Sequence, residues 1–278
     1  MTESESAPPD IGFAVGHDLA TVLEIEELDR DLYRGTNTAD AHRRPRLYGG
    51  QVAAQALRAA GNTVPADRHP HSLHGYFLRP GRADRRVILR VERDRDGRSF
   101  SARRVAAIQD GEVIFSASVS FHVAEPGGSY DEERPDVVAP DGLPLRVVDP
   151  LLEVREVTRS VYDGYPVAIS NRLWVRVVHP LPDDPLVHAC ALTYVSDLGS
   201  GFGQIDVPGL AKGGPSIDHA MWFHEPLRLD DWVLIDLLPW KANGGRGVYL
   251  GSIRDRAGTL GATLAQEILL RMPRRPQD

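Results

Sequence analysis

Asp197, Ser216 and Gln266, all in the C-terminal half of the chain, carry side chains suited to work on a water molecule. A carboxylate can take up a proton, and a hydroxyl and an amide can orient what the carboxylate acts on. Each residue also has a plainer reading. Asp197 falls where the second of two repeated units should begin its helix, and a carboxylate there would cap the free N–H groups of the first turn. Ser216 follows Gly213-Gly214-Pro215 and suits a turn. Gln266 lies in the apolar run Leu264 to Leu270, where a buried amide can be satisfied within the protein.

Other catalytic schemes fail on residue type. Gly97-Arg98-Ser99-Phe100-Ser101 lacks the second glycine of a nucleophile elbow and sits between strands, so it reads as a hairpin. Gly199-Ser200-Gly201-Phe202-Gly203 has neither the Lys-Ser/Thr of a phosphate loop nor a full dinucleotide fingerprint, and reads as a connection. His69, His71 and His74 are close in sequence, but His71 and His74 fall on opposite faces of a strand and no carboxylate completes a ligand set. His219 and His224 have the same mismatch of faces. Neither a metal nor a cofactor is expected.

Composition narrows the setting. The 278 residues, 42% hydrophobic and 26% charged, can bury a sizeable core. Cys190 is the sole cysteine, which excludes an intrachain disulfide and fits a reducing compartment. A net charge of −7 with both signs interspersed argues against nucleic acid as a partner. The basic stretch from Arg79 to Arg104 reads mainly as solvated strand edges and turns, with a few guanidinium groups available to phosphates. Residues 1–15 are Ser-, Pro- and acid-rich and are expected to be a disordered tail without a signal peptide. No segment approaches the roughly 20 apolar residues of a membrane span. Cytoplasmic localisation without membrane insertion is expected.

The elements that must position the polar trio repeat along the chain. Gly49-Gly50-Gln51 opens an Ala-rich segment running to Val64, with Val52, Ala56, Leu57 and Ala60 at helical spacing. Strands follow at His71 to Arg79, Val87 to Glu92, Ser99 to Gln109 and Glu112 to Val123, with Asp96-Gly97 and Asp110-Gly111 as turns. The same order of strands recurs at Ser216 to Glu225, Trp232 to Leu238, Gly247 to Asp255 and Leu260 to Arg271. Gln51 to Asp197 and Pro80 to Pro226 are each 146 positions apart, and Gly111 to Gly258 is 147. Two copies of one α+β unit are inferred, each a long antiparallel sheet wrapped around a central helix. Small side chains on the first helix let a curved sheet close around it. The expected boundaries are 16–124 for the first copy, 125–150 for a Pro- and Gly-rich linker and 151–272 for the second copy.

At these landmarks the sequence resembles the acyl-CoA thioesterase II family, the double hot-dog thioesterases. The resemblance is carried by LYGGQ from Leu47, HSLHGYFLRPG from His71, DGRSFSARRVAAIQDGEVIF from Asp96, YVSD from Tyr194, SIDHAMWFHEP from Ser216 and TLAQE from Thr263. It covers nearly the whole chain, from about Leu23 to Arg271. It implies a double hot-dog fold and hydrolysis of acyl-CoA by a water held on Asp197, Ser216 and Gln266, without a covalent acyl-enzyme. Many bacterial members of the family have Thr where Ser216 stands, and the hydroxyl is kept. Gly50 and Gln51, at the start of the first helix, are then candidates for substrate binding through a close backbone approach and exposed N–H groups. The first copy has Gln51 in the place of Asp197 and Val119 near the place of Gln266, so one competent site per chain is expected, at the contact between the copies. A homo-oligomer is expected from exposed sheet edges. Two other readings stand beside this one. A silent acyl-CoA binding protein would keep the pocket without turnover, and an enoyl-CoA hydratase would need a His shortly after Asp197, where Leu198-Gly199-Ser200 stands.

Overall fold

The structure, a computed structural model, describes residues 15–38, 46–131, 136–149, 151–158 and 171–271. The stretch expected to be a tail, 1–15, lies outside them apart from Val15.

The first half runs β1 (Val15–Gly16), α1 (Leu19–Leu23), β2 (Ile25–Asp29), β3 (Leu32–Gly35), β4 (Asn37–Thr38), α2 (Gly49–Gly61), β5 (Arg68–Phe77), β6 (Ile88–Asp96), β7 (Phe100–Gln109) and β8 (Glu112–Val123). The second half runs β9 (Leu145–Asp149), β10 (Leu152–Glu156), β11 (Arg172–Val177), α3 (Pro185–Val195), β12 (Asp218–Phe223), β13 (Val233–Asn243), β14 (Arg246–Asp255) and β15 (Leu260–Leu269). Thirteen strands form one antiparallel sheet in the order β2-β3-β6-β7-β8-β5-β12-β15-β14-β13-β11-β10-β9. From β3 to β5 the first copy is read in one direction, and from β12 to β11 the second is read in reverse. The copies therefore meet where β5 pairs with β12, with His219 opposite Gly75 and Met221 opposite Leu73.

This is the double hot-dog expected from the sequence, and the repeated turns explain why the spacing is held. β7 and β14 close on their partners through tight turns at Asp110-Gly111 and Gly258, where Asp110, Gly111 and Gly258 all take positive φ. Alternating burial along β7 puts Val105 and Ala107 inside while Arg104 faces out. Strands β2, β3, β10 and β11, ahead of each helix, were not assigned from sequence. β2 reads Ile-Glu-Glu-Leu-Asp and is mostly exposed at the sheet edge, so it lacks the apolar signal of a central strand. The stretch assigned to a linker, 125–150, carries a 3-10 turn at Pro140–Gly142 and ends in β9, which pairs with β10.

Both central helices are buried nearly all round, and they pack on each other. Ala53, Ala54, Ala56, Ala59 and Ala60 of α2 are fully buried, as the Ala-rich pattern requires of a helix enclosed by sheet and by a second helix. The second helix does not begin at Asp197. It starts at Pro185, whose missing N–H costs nothing at the first helical position, and Asp184 caps it by accepting from Leu186 N at 2.9 Å. An offset of 146 from Gly49 falls on Val195, where α3 ends. The helix thus comes earlier in the second copy than the strands do, and the segment from Ser196 to Ile217 takes up the difference.

Several arginines of the basic stretch are paired within their own copy. Arg79 meets Glu112, Arg82 meets Asp84, Arg93 meets Asp31, and Arg104 meets Glu92 and Asp94. These pairs are largely exposed and each contributes little to stability.

Candidate active site

Asp197 sits two residues past the end of α3, half-buried, after Ser196 has closed the helix. Ser216 precedes β12 and is held against β15 on both sides: Ile217 N donates to Glu267 O at 2.8 Å, and Leu269 N donates to Pro215 O at 2.9 Å. Gln266 is in β15 with its side chain on the inward face, 2% exposed. The three side chains converge. Ser216 Oγ donates to Asp197 Oδ1 at 3.0 Å. Gln266 Nε2 donates to the same Oδ1 at 2.7 Å and to Ser216 Oγ at 2.5 Å.

The other carboxylate oxygen faces the first copy. A Cβ added to Gly49 would stand 2.7 Å from Asp197 Oδ2 and 3.0 Å from the Phe77 ring, so the start of α2 lies directly against the carboxylate. A Cβ on Gly50 would stand 2.2 Å from Tyr194 O. The Tyr48 hydroxyl donates to Tyr194 O at 2.8 Å, and the two tyrosine rings meet edge-on at 5.0 Å. Tyr48, the residue that precedes α2, makes no side-chain cap hydrogen bond to the first turn of that helix. The three side chains therefore lie at the seam between the copies.

Of the two residues expected to bind substrate, Gly50 is on this seam, and Gln51 is turned away from it. The Gln51 side chain is 1% exposed, and its Nε2 donates to Thr36 O at 3.2 Å and to Asn37 Oδ1 at 3.3 Å. It ties α2 to the strands before it. Gln51 is also not the structural counterpart of Asp197, because it lies in the first turn of α2 whereas Asp197 follows the last turn of α3. The residue two positions past α2 is Thr63, and it is bonded to the guanidinium of Arg103, which is 1% exposed, with Nε 2.7 Å from Thr63 Oγ1. The first copy's equivalent place is thus filled by a buried arginine. Val119 does occupy the counterpart of Gln266: Val119 pairs with Leu73 and Arg103 in the sheet, and Gln266 pairs with Tyr249 and meets His219 through its side chain.

His219 is the site residue that sequence reasoning missed. It is 1% exposed on β12, with Nδ1 2.6 Å from Gln266 Oε1 and Nε2 2.7 Å from Ser196 Oγ. Burial holds its proton affinity below the ordinary imidazole range, against the pull of Asp197, the Gln266 hydrogen bond and Asp218. Burial likewise pushes the Tyr249 hydroxyl well above its ordinary range, with Asp197 and Asp218 adding to the effect. Among the described residues no group of three or more His, Cys, Asp or Glu could hold a metal ion. A surface cavity of about 220 Å³ lined by Glu153, Arg176, Val177, Val178, Pro180 and Asp230 includes none of the trio.

The buried imidazole predicts a dependence of stability on pH. The folded-state pKa of His219 is depressed, so the unfolded chain binds the proton more readily. Stability is full above the unfolded value of about 6.5 and is lost as pH falls through it, by up to about 1.4 kcal/mol per pH unit for this ring. Asp31 and Asp96, held low by hydrogen bonds from Arg93 and Arg103, act in a separate window, below about pH 4. Burial also holds His71, His188 and His224 low, so the melting temperature is expected to fall between about pH 7 and pH 5.5, ahead of carboxylate titration, and to fall less in His219→Leu; an equal fall in that variant would contradict this placement of His219.

Comparison with known proteins identifies the family and the fold. Residues 38–122 match the profile of the acyl-CoA thioesterase N-terminal domain, and residues 146–269 match that of acyl-CoA thioesterase. Human acyl-coenzyme A thioesterase 8 is 35% identical over 91% of this chain and 89% of its own length. Acyl-CoA thioesterase 2 of Haemophilus influenzae is 34% identical over 92% and 97%. The crystal structure of the acyl-CoA thioesterase II TesB2 from Mycobacterium marinum superposes with a TM-score of 0.77 at 40% identity, covering 92% of this chain and 98% of that one. Fold and sequence together define a double hot-dog hydrolase. The chain belongs to the acyl-CoA thioesterase II family.

Proposed function

We propose that the chain hydrolyses fatty acyl-CoA to free fatty acid and CoA at the seam between its two copies, by direct attack of a water molecule activated by Asp197. The observation that carries this reading is the convergence of the Ser216 and Gln266 donors on Asp197 Oδ1, with Oδ2 left facing the start of α2. Two donors on one oxygen fix the carboxylate, which sets the other oxygen in place to take a proton from water. Ser216 and Gln266 thus act on the base itself. The water oxygen bonds to the thioester carbon as its proton passes to Asp197. The charge that develops on the carbonyl oxygen meets backbone N–H groups and the positive end of the α2 dipole. The C–S bond then breaks, and the proton on Asp197 is available to the departing sulfur.

We read the protein as a cytoplasmic homo-oligomer. Among the described residues no helix is long and apolar enough to cross a membrane, and the sheet ends in the edge strands β2 and β9.

Thiol release from acyl-CoAs of graded chain length tests the activity and supplies the length preference. The enzyme's own thiol does not compete with the product for a thiol reagent, because burial pushes Cys190 up to about 12. Release from part of the series is the expected result. A rise in melting temperature with acyl-CoA but no thiol would establish a silent binder instead.

A further inference from the structure

The inward face of β12 carries one polar side chain that the chemistry above does not use. His219 is buried between the trio and the end of α3, bridging Gln266 Oε1 at 2.6 Å and Ser196 Oγ at 2.7 Å. At the equivalent place in the first copy, 146 positions earlier, stands Leu73, fully buried in the core. The fold is thus satisfied by an apolar side chain at this position, and the imidazole needs another explanation.

The hydrogen bonds supply one. The two ends of a glutamine amide differ: the NH2 only donates, and the carbonyl only accepts. An ionised carboxylate only accepts, so the end of Gln266 that meets Asp197 Oδ1 at 2.7 Å must be its NH2. That turns the carbonyl onto His219, and a carbonyl requires a donor there, so Nδ1 must carry a proton. We propose that His219 is a positioning residue of this site: its Nδ1–H holds the Gln266 amide in the one orientation that aims both N–H donors at Asp197 and Ser216. This rests on the reading of Asp197 as the base. In the neutral ring Nε2 is then an acceptor, so the single Ser196 hydroxyl proton must point to it, at 2.7 Å, and not to Thr193 O at 2.9 Å. A ring protonated on Nε2 alone would accept at Nδ1 and would favour the flipped amide, which sets the Gln266 carbonyl against the carboxylate.

Two measurements test this. In the wild-type protein labelled with 15N-histidine, the His219 resonances near neutral pH should show a proton on Nδ1 and none on Nε2; a bare Nδ1 overturns the proposal. In kinetics, His219→Leu installs the residue type of the first copy and frees the amide, so kcat should fall about 10- to 100-fold with KM little changed. His219→Asn, which sets an amide N–H near the place of Nδ1, should recover part of that loss. Equal losses in the two variants, or a wild-type rate in His219→Leu, overturn the proposal. Asp197→Asn measured alongside separates the failures. If it retains the wild-type rate, the assignment of the base fails, and if it is inactive while His219→Leu is unimpaired, only the positioning role fails.

Discussion

Asp197→Asn is expected to lower the rate of thiol release by about 10²- to 10⁴-fold, the usual contribution of a positioned general base. The substitution is nearly isosteric. An amide oxygen at the Oδ1 position can still accept from Ser216 Oγ and Gln266 Nε2, at present 3.0 and 2.7 Å away, so the local network and the fold should persist. What is lost is the basic oxygen facing the start of α2, where an NH2 would now stand against Gly49. Acyl-CoA should therefore still raise the melting temperature, and the loss should appear in kcat. A variant as active as the wild type would leave the fold intact and remove Asp197 from the chemistry.

Gly50→Ala should have the largest effect of any conservative change at the seam, and with a sign opposite to the usual one. Within a helix, glycine to alanine commonly stabilises by about 0.4–1 kcal/mol, because the unfolded chain loses freedom. Here the new Cβ would meet Tyr194 O at 2.2 Å, and that oxygen belongs to the backbone of α3 and already accepts from the Tyr48 hydroxyl. The two helices must separate, which disturbs Tyr194 and, three residues on, Asp197. An overpacking cost of about 1–3 kcal/mol follows, lowering the melting temperature by roughly 2–10 °C, with a loss of activity larger than the loss of stability explains. Calorimetry and thiol release on the same preparation check both, and an unchanged or raised melting temperature would show that the helices are not in contact there.

The sheet was legible because its turns and its inward residues are local signals. Asp110-Gly111 and Gly258 mark tight turns in both copies, and the alternation along β7 and β15 fixes which residues point inward. The trio was legible as three polar residues, two of them in apolar or glycine-rich surroundings, although only the fold brings them within 3.0 Å of one another. The strand spacing does not carry over to the helix, because the connection after α3 differs in length from that after α2. Asp184-Pro185, a cap followed by a proline at the first helical position, is the signal that marks the start of α3. Gln51 follows two glycines, a pattern that suggests a substrate contact, but its side-chain partners Thr36 and Asn37 lie on a short segment that no periodicity announces. Beside His224, His219 suggests in sequence only a metal ligand. Set against the first copy, it is a histidine where Leu73 packs the core, and that polar-for-apolar exchange at a repeated inward position was visible in the sequence.

The most direct test of the central claim, that water bound at Asp197 attacks the thioester without a covalent intermediate, is a single turnover of acyl-CoA in 18O-water, followed by peptide mass analysis of the protein. The label is expected in the released fatty acid alone, with no label in the peptide containing Asp197 and no acyl group on the peptide containing Ser216. Label in the Asp197 carboxylate, or an acyl adduct trapped on either side chain, would contradict it and make the seam the site of a covalent mechanism.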